Sequence, residues 1–443
     1  MLIKKSTAYI IFLISIISSC YLKKEELFIK DFDNIPKKII KENEILKSKV
    51  LNNNIKTVLC HKKEKPLSEP IISINSNEKL SFSFDDLDGN LKNYFYTIIH
   101  CDSEWERSEL IESEYIYGFL EKEITDYKFS FNTIQKYTHY KFDFPDNYLK
   151  PILSGNYIFK IYEEGESEKP IILHRFMVLE NKVNIESNVK RATLASDRIT
   201  KHEIDFAINT LDLEIRNPYS EIKIKITQNN NDNNNIKDLR PIFVKNNQLI
   251  YDYEDVNTLN ANNEFRYFDF KSLRYHSERI KNIKNDSTHN HVFLFLDKKR
   301  TFNQYSIIPD INGKFIIQNQ EGWDSSTESD YAFVYFTLNS EKINYGDIFI
   351  IGDLSDWQLN NDFKMKYNYS KKAYEASIFL KQGYYNYMYA LNDTITKQVD
   401  ISFIEGTHYQ TRNTYQIYVY YKKTGEKYDR LIGFTETISS ELF

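Results

Sequence analysis

The chain has 443 residues, of which 41% are hydrophobic, so it holds enough apolar side chains for several buried cores. With only 12 glycines and 9 prolines, the composition excludes a disordered linker protein. The formal net charge of −5, from 58 basic and 63 acidic residues, does not predict nucleic acid as a partner. The 34 tyrosines and 30 phenylalanines favour β-structure.

The N-terminus has the features of an export signal. Lysines at positions 4 and 5 precede an apolar run over residues 8–17, which leads into Ser18-Ser19-Cys20. A basic start, a short apolar run and small residues at its end are typical of a secretory signal peptide, and the run is shorter than the roughly 20 residues that cross a bilayer. We therefore predict a signal peptide over residues 1–19 and a charged anchor and spacer segment over residues 20–65.

The three cysteines support two predictions, lipidation and a disulfide, and each prediction has an alternative. The stretch Ile17-Ser18-Ser19-Cys20 resembles the lipobox of bacterial lipoproteins, which implies that Cys20 is lipidated; the alternative is an ordinary signal peptide with a chance cysteine. In an exported protein, Cys60 and Cys101 can form a disulfide; the alternative is two unrelated thiols, one of them packed in the core.

Residues 66–181 are predicted to form a first β domain. Residues 80–84 alternate between apolar side chains and serine, which is the period of a strand with one buried face. Asp88-Gly89 then supplies a turn, and residues 94–99 are predicted to return as the second strand of a hairpin. Short strands separated by turn signals at this spacing are typical of a β-sandwich.

Residues 182–325 and 326–443 are predicted to form two further domains of the same kind. Residues 222–227 alternate between isoleucine and polar side chains and give the clearest strand of the chain, whereas the asparagine-rich stretch 228–235 is expected to be a loop. The expected fold is therefore all-β, with three consecutive immunoglobulin-like β-sandwich domains after the signal peptide and spacer.

The sequence contains no catalytic pattern, such as a nucleophile elbow, a zincin motif or a phosphate-binding glycine loop. His289 and His291 have no third metal ligand nearby, and we expect them in a solvated loop. Residues 310–313 lack the later ligands of a calcium loop and are expected to form a turn. We therefore predict that the protein is not an enzyme and holds neither a cofactor nor a metal.

One group of aromatic residues in the third domain leaves a binding role open. If Trp357, Tyr385 and Tyr387 are exposed, their rings could stack on a sugar. The alternative is that they fill the core of the third sandwich, which is the usual place for large aromatic side chains in a small β domain.

Short stretches spread along the whole chain carry a family resemblance. They are Phe84-Asp85-Asp86-Leu87, residues 96–101, Trp105, residues 130–133, Gly155-Asn156-Tyr157, Arg175-Phe176-Met177-Val178, Arg240-Pro241, residues 263–266, Phe268-Asp269, Glu405-Gly406 and Tyr428-Asp429-Arg430-Leu431. Together they resemble the plug protein family of the Bacteroidota type IX secretion system. The part around residues 348–387 also resembles early-set immunoglobulin-like modules.

The resemblance implies a non-enzymatic periplasmic protein under the large outer-membrane translocon barrel. Such a protein would close the periplasmic mouth of the barrel when no substrate is in transit. The implied partner is the barrel, and a lipid on Cys20 would hold the protein at the inner face of the outer membrane. The alternative function is that of a lipid-anchored glycan-binding envelope protein that uses the third domain.

Overall fold

The described chain is built from β-sheets packed face to face, which confirms the predicted all-β fold. The computed structural model describes residues 45–211 and 213–439, so Cys20, the predicted signal peptide and the first part of the spacer lie outside the described residues. Within these two ranges the helical segments are single turns, at Glu112–Tyr115, Pro218–Glu221, Ser325–Glu328 and Ser402–Glu405, with 3-10 turns at Asp353–Ser355 and Asn361–Phe363.

The first sandwich encloses a core of aromatic side chains. Phe82, Phe159 and Phe176 are fully buried there between a six-stranded and a four-stranded sheet. The six-stranded sheet contains Lys49–Val50, Ile71–Ser73, Tyr94–Cys101, Lys122–Glu123, Gly155–Glu163 and Ile172–Leu179. The four-stranded sheet contains Ile55–Lys62, Leu80–Asp86, Asp126–Phe129 and Thr138–Phe144, and a small outer pair consists of Ile116–Gly118 and Leu149–Pro151.

The two strands that were predicted to form a hairpin lie in opposite sheets of this sandwich. Leu80–Asp86 belongs to the four-stranded sheet and Tyr94–Cys101 to the six-stranded sheet, so the hairpin prediction is wrong. Both strands carry large rings that are buried against each other across the core, where Phe84 and Tyr94 meet edge to face at 5.4 Å. Ile55–Lys62, which falls in the predicted spacer, pairs with Leu80–Asp86 and so belongs to the sandwich.

The second sandwich packs a five-stranded sheet on a four-stranded sheet. Ile224 and Ile226 point into its core, as the alternating pattern predicts. Most of the asparagine-rich stretch expected to be a loop is a strand, Asn231–Lys237. The five-stranded sheet contains Asn184–Arg191, Lys201–Asn209, Phe243–Lys245, Gln248–Tyr251 and Thr258–Asn260, and the four-stranded sheet Ile222–Gln228, Asn231–Lys237, Thr414–Tyr421 and Arg430–Ile438.

The third sandwich has a core that includes Phe268, Val334, Phe336 and Tyr385. One of its sheets contains Arg266–Asp269, Phe315–Ile317, Gly346–Ile351, Gly383–Asp393 and Val399–Asp400. The other contains Ile280–Asn285, Asn290–Leu294, Asp297–Lys298, Tyr331–Asn339, Lys366–Asn368 and Ala373–Lys381.

The strands of the third sandwich are inserted between strands of the second. Thr414–Tyr421 lies in the predicted third domain, yet it pairs along its whole length with Ile222–Gln228 of the second sandwich. Conversely, Arg266–Asp269 lies in the predicted second domain and pairs with Gly383–Asp393 of the third. The sheets therefore do not follow the expected boundary near residue 326, and the chain crosses between these two sandwiches twice.

Candidate functional site at the junctions between the sandwiches

The first and third sandwiches meet at a buried carboxylate. The side chains of Asp85 and Lys381 are almost completely inaccessible, and the Lys381 Nζ lies 2.6 Å from an oxygen of Asp85. The Tyr331 hydroxyl donates to the same oxygen at 2.7 Å, and His139 Nδ1 lies 2.7 Å from the other. Burial raises the pKa of Asp85, but the ammonium of Lys381 and the hydrogen bond from His139 outweigh it, so that the pKa is lowered overall.

A second carboxylate completes this junction. Asp330 of the third sandwich accepts the backbone N–H groups of Ile134 and Gln135 at 2.8 and 3.1 Å, respectively. In the opposite direction, the hydroxyl of Tyr137 donates to the carbonyl of Ser329 at 2.9 Å. Because these bonds run between loops of two different sandwiches, they fix both the distance and the orientation of the two bodies.

Two contacts join the first and second sandwiches, one made by Arg175 and the other by Asp429. The guanidinium of Arg175 lies 4.2 Å above the ring of Trp105 and donates to Asp232 of the second sandwich at 2.7 Å. Asp429, in the loop before the last strand of the second sandwich, accepts the backbone N–H of Ser103 at 2.9 Å. A stacked and hydrogen-bonded guanidinium is held in one plane, so this junction also has a defined geometry.

All three sandwiches meet around a cavity of about 210 Å³. Lys314 of the third sandwich reaches across it to Glu69 of the first at 2.8 Å, and Asn233 of the second donates to the carbonyl of Trp357 at 2.6 Å. The charged groups in its wall are thus largely paired with one another. We find in this cavity no nucleophile with an adjacent base of the kind that covalent catalysis needs, as far as the described residues are concerned.

The two crossings of the chain between the second and third sandwiches surround Glu264. Its carboxylate accepts the hydroxyl of Tyr305 at 2.5 Å and the backbone N–H of Arg412 at 3.2 Å, and its carbonyl accepts a hydrogen bond from Arg300 at 2.8 Å. Burial raises the pKa of Glu264 to about 7, against the lowering effect of the hydrogen bond from Tyr305.

Inside the third sandwich a network of buried charges lies behind this crossing. Arg266 donates to both oxygens of Glu405 at 3.0 and 3.1 Å and to Asp297 at 2.9 Å. The hydroxyls of Tyr387 and Tyr389 donate to the second oxygen of Asp297 at 2.6 and 2.8 Å. Both carboxylates are therefore saturated with donors, as a stable buried network requires, and neither is free for chemistry.

The three aromatic residues proposed as a sugar-stacking surface are buried. Trp357 is 7% exposed, Tyr385 2% and Tyr387 0%. The ring of Tyr385 is stacked between Phe268 and Phe315 at 5.2 and 5.1 Å. The rings do not form an exposed surface, so the stacking alternative is corrected. Tyr385 and Tyr387 belong to the core of the third sandwich, whereas Trp357 packs in a separate buried cluster with Phe265 and Met388.

Cys60 and Cys101 are both free thiols, so the disulfide alternative is not formed. The two residues lie in opposite sheets of the first sandwich, in the strands Ile55–Lys62 and Tyr94–Cys101. Burial raises the pKa of the Cys101 thiol to about 12 and raises that of Cys60 as well, so neither is a reactive thiolate at neutral pH.

Over residues 45–211 and 213–439, one group of three carboxylates has the spacing of a metal site: Glu203, Asp205 and Asp252. The ammonium of Lys190 lies 3.0 Å from Glu203 and 2.6 Å from Asp205, and it already supplies the positive charge there. His291, considered above as a metal ligand, instead contacts a carboxylate oxygen of a neighbouring loop residue at 2.9 Å. No helix in the described part of the chain is long and apolar enough to cross a membrane.

The fold and the junctions define a class of protein: a chain of β-sandwiches joined by buried polar contacts. A family model for the first domain of the type 9 secretion system plug protein matches residues 55–180, which contain every strand of the first sandwich except Lys49–Val50. The crystal structure of a hypothetical protein from Parabacteroides merdae ATCC 43184 is 33% identical, with a TM-score of 0.87, over 89% of this chain and 100% of that one. A search of curated proteins found no match. The chain belongs to the type 9 secretion system plug protein family.

The residues that carried the family resemblance in the sequence now have a structural role. Asp85, Trp105, Arg175 and Asp429 all lie at junctions between sandwiches, and Glu405 lies in the buried network of the third. The sequence indicated that these positions matter but not what they contact, because their partners are far away in the chain.

Proposed function

We propose that this protein is the periplasmic plug of the type IX secretion translocon. It closes the periplasmic mouth of the large outer-membrane barrel when no substrate is in transit. Membership of the plug protein family supports this role, and the observation that carries the mechanism is the set of buried contacts between the sandwiches. From Ile45 onward the chain forms one compact unit, and Asp85–Lys381 and Lys314–Glu69 lie inside it.

The physical argument is that a barrel wide enough for folded cargo also passes small solutes. A body that blocks such an opening must keep its shape under thermal motion, and hinged domains on flexible linkers do not. Junctions with hydrogen-bonded charges resist hinge motion, because opening them leaves a buried charge without its partner. Blocking an opening requires no chemistry, which is in keeping with a non-enzymatic role.

We further propose that the protein acts in the periplasm at the inner face of the outer membrane. A lipid on Cys20, which lies outside the described residues, would keep the plug close to the membrane after its release. Tethering of this kind raises the effective concentration of the plug at the barrel and speeds reclosure. The glycan-binding alternative is less well supported, because Trp357, Tyr385 and Tyr387 are buried.

The plug proposal is tested by the permeability of the outer membrane. We expect deletion of the gene to increase the entry of a membrane-impermeant fluorescent dye in the native host, and complementation with the wild-type gene to restore the barrier. Deleting the barrel as well should remove the leak, because the leak passes through the barrel. A leak that persists without the barrel, or no leak in the single deletion, would contradict the proposal.

A physical association test complements the permeability test. A tagged protein purified from detergent-solubilised envelopes should bring with it a very large outer-membrane barrel, identified by mass spectrometry. We expect more barrel when secretion substrates are depleted, since the plug occupies the mouth of an idle translocon. A Cys20→Ser variant serves as the control for the anchor: it should lose membrane retention of the free protein but keep binding to the barrel.

A further inference from the structure

The outer face of the third sandwich forms an open groove of about 1110 Å³. Its floor is the sheet that contains Asn290–Leu294, Tyr331–Asn339 and Ala373–Lys381, on the face opposite the core. Ile280–Asn285 forms one wall, and residues 361–371 form the other. This groove is separate from the junctions described above.

Two aromatic rings on the floor of the groove stack on each other. Phe293 and Tyr335, on neighbouring strands, are stacked at 4.5 Å with only 9° between their planes, so each ring covers one face of the other. The ammonium of Lys284 lies 5.7 Å from the centre of the Phe293 ring. The positive edge of an aromatic ring attracts an anion, and it attracts the face of a second ring as well.

The groove is basic, although the whole chain has a net charge of −5. Its lining includes five lysines and only two acidic side chains; the lysines are Lys281, Lys284, Lys364, Lys366 and Lys371, and the acids are Asp362 and Glu375.

Not all of these lysines are neutralised by carboxylates. Lys371 pairs with Glu375 at 2.6 Å, and Lys364 pairs with Asp347 at 2.7 Å. The remaining three, at positions 281, 284 and 366, are exposed and have no ion-pair partner among the described residues. Their unneutralised charge lines both walls of the groove and is complementary to an anionic partner.

We propose that this groove binds an acidic, extended segment of a partner polypeptide. The unneutralised lysines of the walls favour carboxylates. The recessed shape fits a chain and not the flat surface of a bilayer. Asn282 and Thr337 also line the groove and supply hydrogen-bonding side chains for a peptide backbone. The proposal does not depend on whether the protein closes the barrel.

The test is fluorescence anisotropy with the purified full chain and a fluorescein-labelled decapeptide of alternating glutamate and aspartate. A decapeptide of alternating glutamine and asparagine is the neutral control. We expect saturable binding of the acidic peptide only, and weaker binding as the salt concentration rises. The triple variant Lys281→Glu, Lys284→Glu, Lys366→Glu should weaken binding by about tenfold or more, because attraction becomes repulsion.

A matched variant with Lys141→Glu, Lys245→Glu and Lys423→Glu carries the same charge change at exposed lysines outside the groove. It should keep wild-type affinity, and both variants should keep the wild-type circular dichroism spectrum. Equal losses in the two variants, or equal binding of the two peptides, would overturn the proposal. Tighter binding of polygalacturonate than of the acidic peptide would overturn it in favour of an acidic glycan. The permeability test above is unaffected by any of these results.

Discussion

Replacing Lys381 by methionine removes the cation from the junction between the first and third sandwiches but keeps most of the side-chain volume. The carboxylate of Asp85 then stays buried, with hydrogen bonds from Tyr331 and His139 but without the ammonium at 2.6 Å. At that distance and an effective dielectric constant of about 20, the attraction between the two charges is about 6 kcal/mol. The desolvation of each ion costs several kcal/mol and offsets most of it.

The single substitution Lys381→Met therefore destabilises the protein more than the net value of the pair. Breaking a buried ion pair from one side costs about 3–5 kcal/mol, whereas replacing both partners is often nearly neutral. We expect Lys381→Met to lose that much free energy of unfolding in a urea titration. The double variant Asp85→Asn, Lys381→Met should recover most of the loss, because no charge is left unpaired.

The exposed pair Lys371–Glu375 provides the control. Lys371 lies in the turn before the strand that ends at Lys381, and Lys371→Met removes it from a solvated pair. Exposed ion pairs contribute at most about 1 kcal/mol, so this variant should unfold close to the wild type. If Lys381→Met is no more destabilised than Lys371→Met, or if the double variant is as unstable as the sum of its single changes, the account of the junction is wrong.

Three further changes test other parts of the structure. Because burial raises the pKa of Glu264 to about 7, the native carboxyl loses its proton at a higher pH than the unfolded one. From pH 5 to 8 the free energy of unfolding of the wild type in urea should therefore fall by about 2–3 kcal/mol relative to that of Glu264→Gln. Equal pH profiles of the two proteins would contradict this. Gly383→Ala places a Cβ 2.2 Å from the Ile316 carbonyl oxygen and should lower the melting temperature by several degrees, which a calorimetric scan would detect. Trp105→Ala removes the ring under Arg175 and should cost about 3–5 kcal/mol, whereas Trp105→Phe should cost less; equal losses would show that ring area is unimportant.

The sequence was sufficient for the fold class and for those strands that carry a clear alternating or apolar pattern. The alternation over residues 222–227 correctly predicts the strand Ile222–Gln228 and its core-facing isoleucines, because that pattern depends only on neighbouring residues. The expected solvated face is wrong, because Lys225 and Thr227 are buried where the sandwiches meet. The family resemblance also depends on local stretches, and these include Asp85, Trp105, Arg175 and Asp429 at the junctions.

Strand partners and sheet boundaries could not be predicted in the same way. Leu80–Asp86 and Tyr94–Cys101 look like a hairpin because a turn signal separates them, but the signal does not determine which sheet the second strand joins. Likewise, nothing near Thr414–Tyr421 shows that its partner lies almost two hundred residues earlier, at Ile222–Gln228. The asparagine-rich stretch was misread because tertiary hydrogen bonds, such as that from Asn233 to the carbonyl of Trp357 at 2.6 Å, satisfy side chains that usually favour loops.

The chemistry of the junctions explains why a blocking protein would use charges where apolar contacts give more stability. Two apolar surfaces can slide by an ångström with little loss of buried area, but Asp85 and Lys381 cannot separate without leaving a desolvated charge behind. The same holds for Lys314 and Glu69, which lie at a different junction. We infer that these pairs select one arrangement of the three sandwiches at some cost in stability. On this view Asp85→Asn, Lys381→Met recovers stability but loses the single arrangement, and small-angle X-ray scattering of the double variant should show a larger radius of gyration than that of the wild type.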